Sequence, residues 1–331
     1  RNVSSVQHAG TAGNRSQNLN VRGFSAGRFA KDGFLAPASF GDTGFNDLAN
    51  VARVEVLKGP ASILYGRAAP GGLVNITTKK PQPEAFRRLQ GTLGSEEFAR
   101  AELDLNQPIA GDDAVLFRLN ASYQEKDSFR DFFVDDERSL VAPVVRWQPN
   151  ADTTLDVQLE YFDQERQFDR GLVAVGEEAD VLPQDRFLGE RFSQFQTDGT
   201  RLQADLDHAF NDTWSLRTML RLSDNETDRF SADPRGLQGD GRTLDRRVMD
   251  LQQDIENAGF QANLKGRLEA GTVDHEVLLG VDLNQTNFTA STRFAPLATI
   301  DILDPQFGAQ SASAGGSSSA AVMTRPIHPF P

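Results

Sequence analysis

From residue 87 to about residue 290, apolar side chains recur at every second position. Val115, Phe117, Leu119, Ala121 and Tyr123 alternate with residues that include Arg118, Asn120, Ser122 and Gln124. Leu155, Val157, Leu159 and Tyr161 alternate with Asp156, Gln158 and Glu160, and the same rhythm runs through Leu202–Leu206, Trp214–Leu222, Phe260–Leu264 and Val277–Leu283. A period of two is the mark of a strand with one apolar and one polar face. It predicts nine strands, near 87–94, 98–107, 114–126, 138–148, 153–166, 199–210, 213–228, 252–267 and 272–289. Short turns at 95–97, 108–113, 149–152, 211–212 and 268–271 alternate with long connections at 127–137, 167–198 and 223–251.

Several of these strands exceed the five or six residues usual in soluble sheets. Long antiparallel strands, with short turns at one end and long loops at the other, predict a transmembrane β-barrel. A soluble β-rich binding protein is the structural competitor, and strands this long with one-sided loops fit it poorly. Trp147 and Trp214 fall beside predicted short turns, where an aromatic girdle belongs. Polar residues on the inner face imply a wet lumen. Mean hydropathy is −0.45, which does not argue against a barrel whose strands are apolar on one face only.

Residues 1–86 have a different texture. Residues 18–24 (NLNVRGF) read as a short alternating strand and 29–35 as another, with Lys31-Asp32-Gly33 as its turn. Asp47 is placed to cap a short helix through Leu48 and Ala49. The stretch 54–81, VEVLKGPASILYGRAAPGGLVNITTKKP, reads as a strand, a Gly59-Pro60 break, a helical turn over 61–65, a Gly-rich loop over 66–72 and a second strand over 73–78. Pro60 presets the first helical position and Gly71-Gly72 permits a left-handed or close-approach backbone. Pro81 and Pro83 mark a linker near 80–86.

The KGP…LYG…PGG…N run, with Gly59, Pro60, Tyr65, Gly66, Gly71 and Gly72, closely resembles the plug domain of TonB-dependent outer-membrane receptors. Asn20-Val21-Arg22-Gly23-Phe24 resembles the plug's (N/S)-x-R-G-F segment. Phe168-Asp169-Arg170-Gly171, Gly176 and Arg186-Phe187-Leu188-Gly189-Glu190 resemble a long extracellular loop of the hydroxamate-siderophore (ferrichrome-like) branch. The resemblance covers about 1–290 and implies a mostly β fold, in which a mixed α/β plug over 1–86 precedes the first nine antiparallel strands of a 22-stranded barrel over 87–307.

A plugged transporter takes about 22 strands, and at the spacing found here these need roughly 500 residues. After residue 86 the chain has 245, so more than half of the expected barrel is not in it. The chain opens at Arg1 and contains no recognisable TonB-pairing segment, and is expected to be a fragment truncated at both ends. Residues 308–331 include GAQSASAGGSSSAA and a proline-rich end and are expected to be a low-complexity, disordered tail.

The net charge of −13 argues against a nucleic-acid partner, which demands clustered Lys and Arg. With no cysteine, thiolate metal sites and Cys nucleophiles are excluded. The four histidines, at 8, 208, 275 and 328, have no ligand spacing. Acidic pairs such as Asp135-Asp136 and Glu177-Glu178 read as solvated loops. Neither a G-x-S-x-G nor a complete P-loop occurs, so no catalytic reading is supported.

The resemblance therefore implies a receptor that binds a ferric siderophore and imports it by TonB-dependent gating. The ferric iron arrives already chelated, with no metal or cofactor held by the protein's own residues. The implied partners are the chelate, the TonB–ExbB–ExbD complex and outer-membrane lipid or lipopolysaccharide. A ligand-sensing signalling receptor, a receptor for cobalamin, haem or a glycan, and a non-functional remnant are the alternatives. Arg22, with Phe24, Pro37, Ala38, Ser39 and Phe40, forms the expected plug apex. A guanidinium offers a rigid fork of donors to the oxygens around iron, or else a structural ion pair within the plug. Phe168 and Phe187, with Phe192 and Phe195, would cover a ligand or pack the loop, while Tyr65 and Arg67 belong to the shared scaffold.

Overall fold

The computed structural model describes residue 4 and residues 6–8, 19–25, 29–35, 47–58, 72–109, 112–131, 135–270, 273–308 and 319–324. Among these every regular element is a strand. The expected helical turn over 61–65 lies outside the described residues. Residues 48–50 form a turn and not the expected helix, although the Asp47 carboxylate does accept the Ala49 N–H at 2.7 Å.

Two small sheets make up the first unit. One joins β1 (Val6–His8), β2 (Leu19–Val21) and β3 (Phe24–Ser25) in that order. The other comprises β4 (Phe29–Lys31), β5 (Phe34–Leu35), β6 (Val51–Lys58) and β7 (Gly72–Thr78), in the order β5-β4-β7-β6 with β4 and β7 parallel. Both hairpins turn through two residues of positive φ: Arg22 (55°) and Gly23 (82°), and Asp32 (52°) and Gly33 (86°). Two consecutive left-handed residues make a type I′ turn, whose twist matches that of the flanking strands. Val21 and Val74 pack with Val6, Leu19, Phe29 and Val56, which ties the two sheets together.

The second unit is one antiparallel meander of ten strands. It runs through β8 (Phe86–Leu93), β9 (Ala99–Ile109), β10 (Asp112–Lys126), β11 (Asp136–Asn150), β12 (Thr153–Gln167), β13 (Gln194–Ala209), β14 (Trp214–Leu237), β15 (Thr243–Ala270), β16 (Val273–Asp301) and β17 (Ser319–Thr324). All nine expected strands are present. The tenth, β17, pairs with β16 from Asn287 to Thr292 inside the segment expected to be disordered.

Register explains the alternation. Leu159 opposes Leu202, which opposes Leu222, and Leu220 opposes Phe260, which opposes Leu283. These side chains are exposed, and together they form an apolar outer wall. The intervening Asp156, Gln158, Glu160, Gln203, Asp205 and Arg221 are buried on the other face. Apolar outside and polar inside is the distribution of a barrel in lipid. The plug sheet covers part of this inner face, through contacts to β9 and β12 to β15, whereas β8 and the first half of β16 are exposed on both faces. Trp147 and Trp214 stand at the short-turn end, and Trp214 lies over Gly266, where a Cβ would come 2.4 Å from the ring.

The largest departure from expectation is the supposed loop 223–251. β14 continues to Leu237 and β15 begins at Thr243, leaving only residues 238–242 as the turn. Polar residues from Ser223 to Asp228 break the apolar rhythm, yet backbone pairing continues, because beyond the lipid neither face has to be apolar. On the outer wall Asp163, Asp198, Glu226 and Asp254 oppose one another across four strands and mark where the apolar band ends. A strand of 24 residues extends about 80 Å at roughly 3.3 Å per residue, far more than an apolar band about 25 Å tall.

Candidate functional site

The plug sheet meets the wall through charged groups buried on both sides. The turn of the β4–β5 hairpin carries the Lys31 ammonium to the Glu160 carboxylate of β12, which also accepts hydrogen bonds from Asn50 Nδ2 (2.7 Å) and Arg201 Nη1 (2.6 Å). Burial pulls the Lys31 pKa down to about 8, against the opposing pull of the Glu160 charge. Lys79 donates to Asp104 (2.9 Å) and to the Ala49 carbonyl (2.7 Å). Lys80 pairs with Asp205 at 3.3 Å, and its carbonyl accepts from Arg118 Nη1 at 2.9 Å. Arg100 grips Asp47 with two guanidinium nitrogens, at 2.7 and 3.0 Å. Burial raises the Asp47 carboxyl, but the bonds from Arg100 and the Ala49 amide outweigh it and hold the carboxyl below its ordinary value. A buried charge is tolerable only when paired, and Lys31, Lys79 and Lys80 each have their partner on a different wall strand.

Arg22 sits on the exposed tip of the β2–β3 turn. Among the described residues its side chain has no partner. Phe24 beside it is 53% exposed. Pro37, Ala38, Ser39 and Phe40 lie outside the described residues, as do Gly59, Pro60, Tyr65, Gly66, Arg67 and Gly71. Gly72 opens β7 opposite Lys58 with φ at 138°. A Cβ there would meet the Leu57 carbonyl oxygen at 2.1 Å, so glycine is dictated by close approach.

Phe168 and Phe187 are each only 1% exposed. The Arg229 guanidinium lies 3.6 Å from the Phe168 ring centroid and that of Arg170 lies 5.5 Å from it. Phe187 stacks on Phe307 at 6.2 Å. Phe195 lies buried beneath Arg166, and Phe192 packs on Phe230. Packed in this way, these rings fasten the 168–193 connection in place. Glu190, wholly buried, accepts from Arg246 Nη2 and the Gly308 amide, both at 2.9 Å. Leu182, Leu188, Leu244, Ile300 and Ile302 give the assembly its own small core.

Sequence reasoning missed Glu160, Arg221, Asp104 and Asp205 as partners of the plug, and Arg201 as a second donor to Glu160. Their signal was present as the polar half of the alternation, but alternation reveals only a polar face and not what covers it. Among the described residues no helix is long and apolar enough to cross a membrane, which says nothing of strands. No group of three or more potential metal ligands occurs among them.

A plug sheet seated on the polar inner face of an antiparallel wall with an apolar outer face defines the class as a plugged outer-membrane β-barrel. The TonB-dependent receptor plug domain profile matches residues 1–73, and the TonB-dependent receptor-like β-barrel profile matches residues 146–323. The chain belongs to the TonB-dependent receptors of the bacterial outer membrane.

Over 237 residues it is 39% identical to the metal-pseudopaline receptor of Pseudomonas aeruginosa, which covers 71% of this chain and 33% of that protein. It is 26% identical to the ferrichrome outer membrane transporter/phage receptor of Escherichia coli, over 82% of this chain and 40% of that protein. The structure of the Pseudomonas aeruginosa ferripyoverdine receptor bound to ferripyoverdine superposes with a TM-score of 0.81 at 23% identity, over 96% of this chain and 44% of that one. The chain thus spans well under half the length of these relatives.

Proposed function

We propose that this chain is part of a receptor that binds a ferric siderophore or similar metal chelate at the outer surface and imports it by TonB-dependent remodelling of the plug. The observation that carries this reading is the plug sheet held to the inner wall by paired, buried charges. Such a seal blocks the lumen yet is made of discrete polar contacts that a pull can exchange for water. The chelate carries its own iron and the protein contributes donors and shape. Arg22 is the proposed chelate contact, because a guanidinium on an exposed turn, with no partner among the described residues, can serve ligand oxygens. Phe24, Pro37, Ala38, Ser39 and Phe40 complete the proposed apex, and Phe168 and Phe187 act one step behind it by holding the loop that walls the vestibule. The TonB–ExbB–ExbD complex is the proposed energy source and outer-membrane lipid the surrounding partner.

The sequence motifs of the 168–190 connection favour a hydroxamate chelate. The higher identity to a metal-pseudopaline receptor widens the class to other small metal chelates. The test is uptake of radiolabelled iron–ferrichrome, iron–ferrioxamine B and a metal–pseudopaline complex by cells producing the whole protein, with and without an uncoupler. Energy-dependent uptake of one of them, weakened at least tenfold in apparent affinity by Arg22→Ala, is expected. Binding of none of the three, or uptake indifferent to the uncoupler, would refute the proposal.

A further inference from the structure

Beyond its ion pairs, the β4–β5 hairpin fits the wall by shape. The Phe34 ring is 1% exposed and projects onto β15 at Gly259. A Cβ on Gly259 would come 2.1 Å from Phe34 Cζ and 2.5 Å from Cε1. Only a residue without a side chain leaves room for the ring, because overpacking of this degree forces backbone shifts. Arg221 of β14 closes the notch from the side, its guanidinium 4.8 Å from the ring centroid. Its Nη2 donates to the Lys31 carbonyl at 2.7 Å, while its Nε is held by Gln203 Oε1 at 3.0 Å. One hairpin is thereby gripped by three wall strands, β12, β14 and β15, through Glu160, Arg221 and Gly259, while Arg201 and Gln203 of β13 brace Glu160 and Arg221.

The hairpin is equally firmly joined to its own sheet. The Asp32 amide donates to the Ile76 carbonyl at 2.8 Å, and its carboxylate accepts from the Thr78 amide at 2.8 Å and the Thr78 hydroxyl at 2.7 Å. The Gly33 amide donates to Asn75 Oδ1 at 3.1 Å. By contrast, among the described residues no hydrogen bond or ion pair joins β1, β2 or β3 to the wall.

We propose that the β4–β5 hairpin is the fixed anchor of the plug. Its Phe34 ring stays locked in the Gly259 notch under Arg221 while other parts of the plug loosen first. The inference rests on the plug-and-wall architecture and not on the identity of any cargo.

Hydrogen exchange of the whole protein in detergent micelles tests it without any ligand. Peptides over 29–35 are expected to exchange at least about tenfold more slowly than peptides over 19–25, a difference set by local opening. Gly259→Ala is expected to abolish that difference by expelling the ring, and adding Phe34→Leu to Gly259→Ala is expected to restore it. Peptides over 199–209 report the wall itself. Equal exchange of the two plug segments in the unmodified protein would overturn the proposal. So would unchanged hairpin protection in Gly259→Ala, or a double variant in which neither wall nor hairpin recovers.

Discussion

Lys31 and Glu160 stand 129 positions apart in the chain and share a hydrogen bond buried between plug and wall. Glu160 is the hub of that contact, because Asn50 and Arg201 also donate to it. Glu160→Ala leaves a buried ammonium and a guanidinium without their anion. Breaking such a pair from one side costs about 3–5 kcal/mol. Limited proteolysis is expected to cut the plug of this variant rapidly while the wall stays resistant. A plug as resistant as that of the unmodified protein would contradict the prediction.

The same pair has a pH signature. The Lys31 pKa in the fold, about 8, lies below its ordinary 10.5. The folded state therefore releases this proton before the unfolded state does, and the penalty for burying the charge is fully present below pH 8. Stability from this group is expected to rise between pH 8 and 10.5. Denaturation midpoints of the unmodified protein and Lys31→Met, compared across that window, check it: their difference should change in favour of the unmodified protein as pH rises.

Gly72→Ala places a methyl group where the Leu57 carbonyl oxygen already sits, at a backbone angle that side chains rarely adopt. The β6–β7 pairing has to shift, at a cost of about 1–3 kcal/mol or more. Faster hydrogen exchange over 51–58 and 72–78, with the wall unchanged, is the expected result.

At the tip of the β14–β15 hairpin the Asp240 carboxylate accepts the Thr243 hydroxyl (2.6 Å) and the Thr243 and Arg242 amides (both 2.9 Å). These bonds, the Thr243 hydroxyl foremost, hold its pKa at about 2. Their contribution is present above the ordinary value of 3.8 and is lost as pH falls from there to about 2. Pepsin is expected to nick 238–243 increasingly over that interval, whereas in Asp240→Ala the tip should be cut to the same extent, relative to a control substrate, at each pH.

Phe168→Ala removes the ring from beneath Arg229 and opens the packing of the 168–193 connection. A buried Phe→Ala change costs about 3–5 kcal/mol. The connection is expected to become protease-sensitive while β12 and β13 remain paired. An intact connection would mean that Glu190, Arg246 and the leucine core hold it unaided.

The wall was legible in the sequence because lipid imposes a period of two on it. Val157, Leu159 and Tyr161 declared β12 without help from any other strand. Where lipid ends, so does the signal: Arg229 to Leu237 and Thr243 to Leu251 read only as loop and are strand. Ser319–Thr324 was hidden by its low-complexity surroundings, since pairing along β16 depends on backbone groups and not on side-chain pattern. Arg22 is singled out by the N-x-R-G-F resemblance, but its stretch reads as one short strand and not as the two-residue turn that the structure shows at Arg22 and Gly23. For Phe168 and Phe187 both ligand cover and loop packing are open in the sequence, because a ring in a long connection looks the same whether it faces a ligand or an arginine. Glu160 was visible only as one polar residue among many, for its meaning depends on a lysine in another folding unit.

The wall's pairings also imply an order of assembly. Every strand of the meander bonds to its neighbours in the chain, so it can zip up hairpin by hairpin, each loop closing between adjacent strands. The plug's hold on that wall joins distant positions, as in the bond from Arg221 to the Lys31 carbonyl across 190 residues. Contacts of such separation form late, since their loop-closure entropy must be met before they stabilise anything. The plug, made before the wall at the ribosome, is therefore the part that finds its place after it.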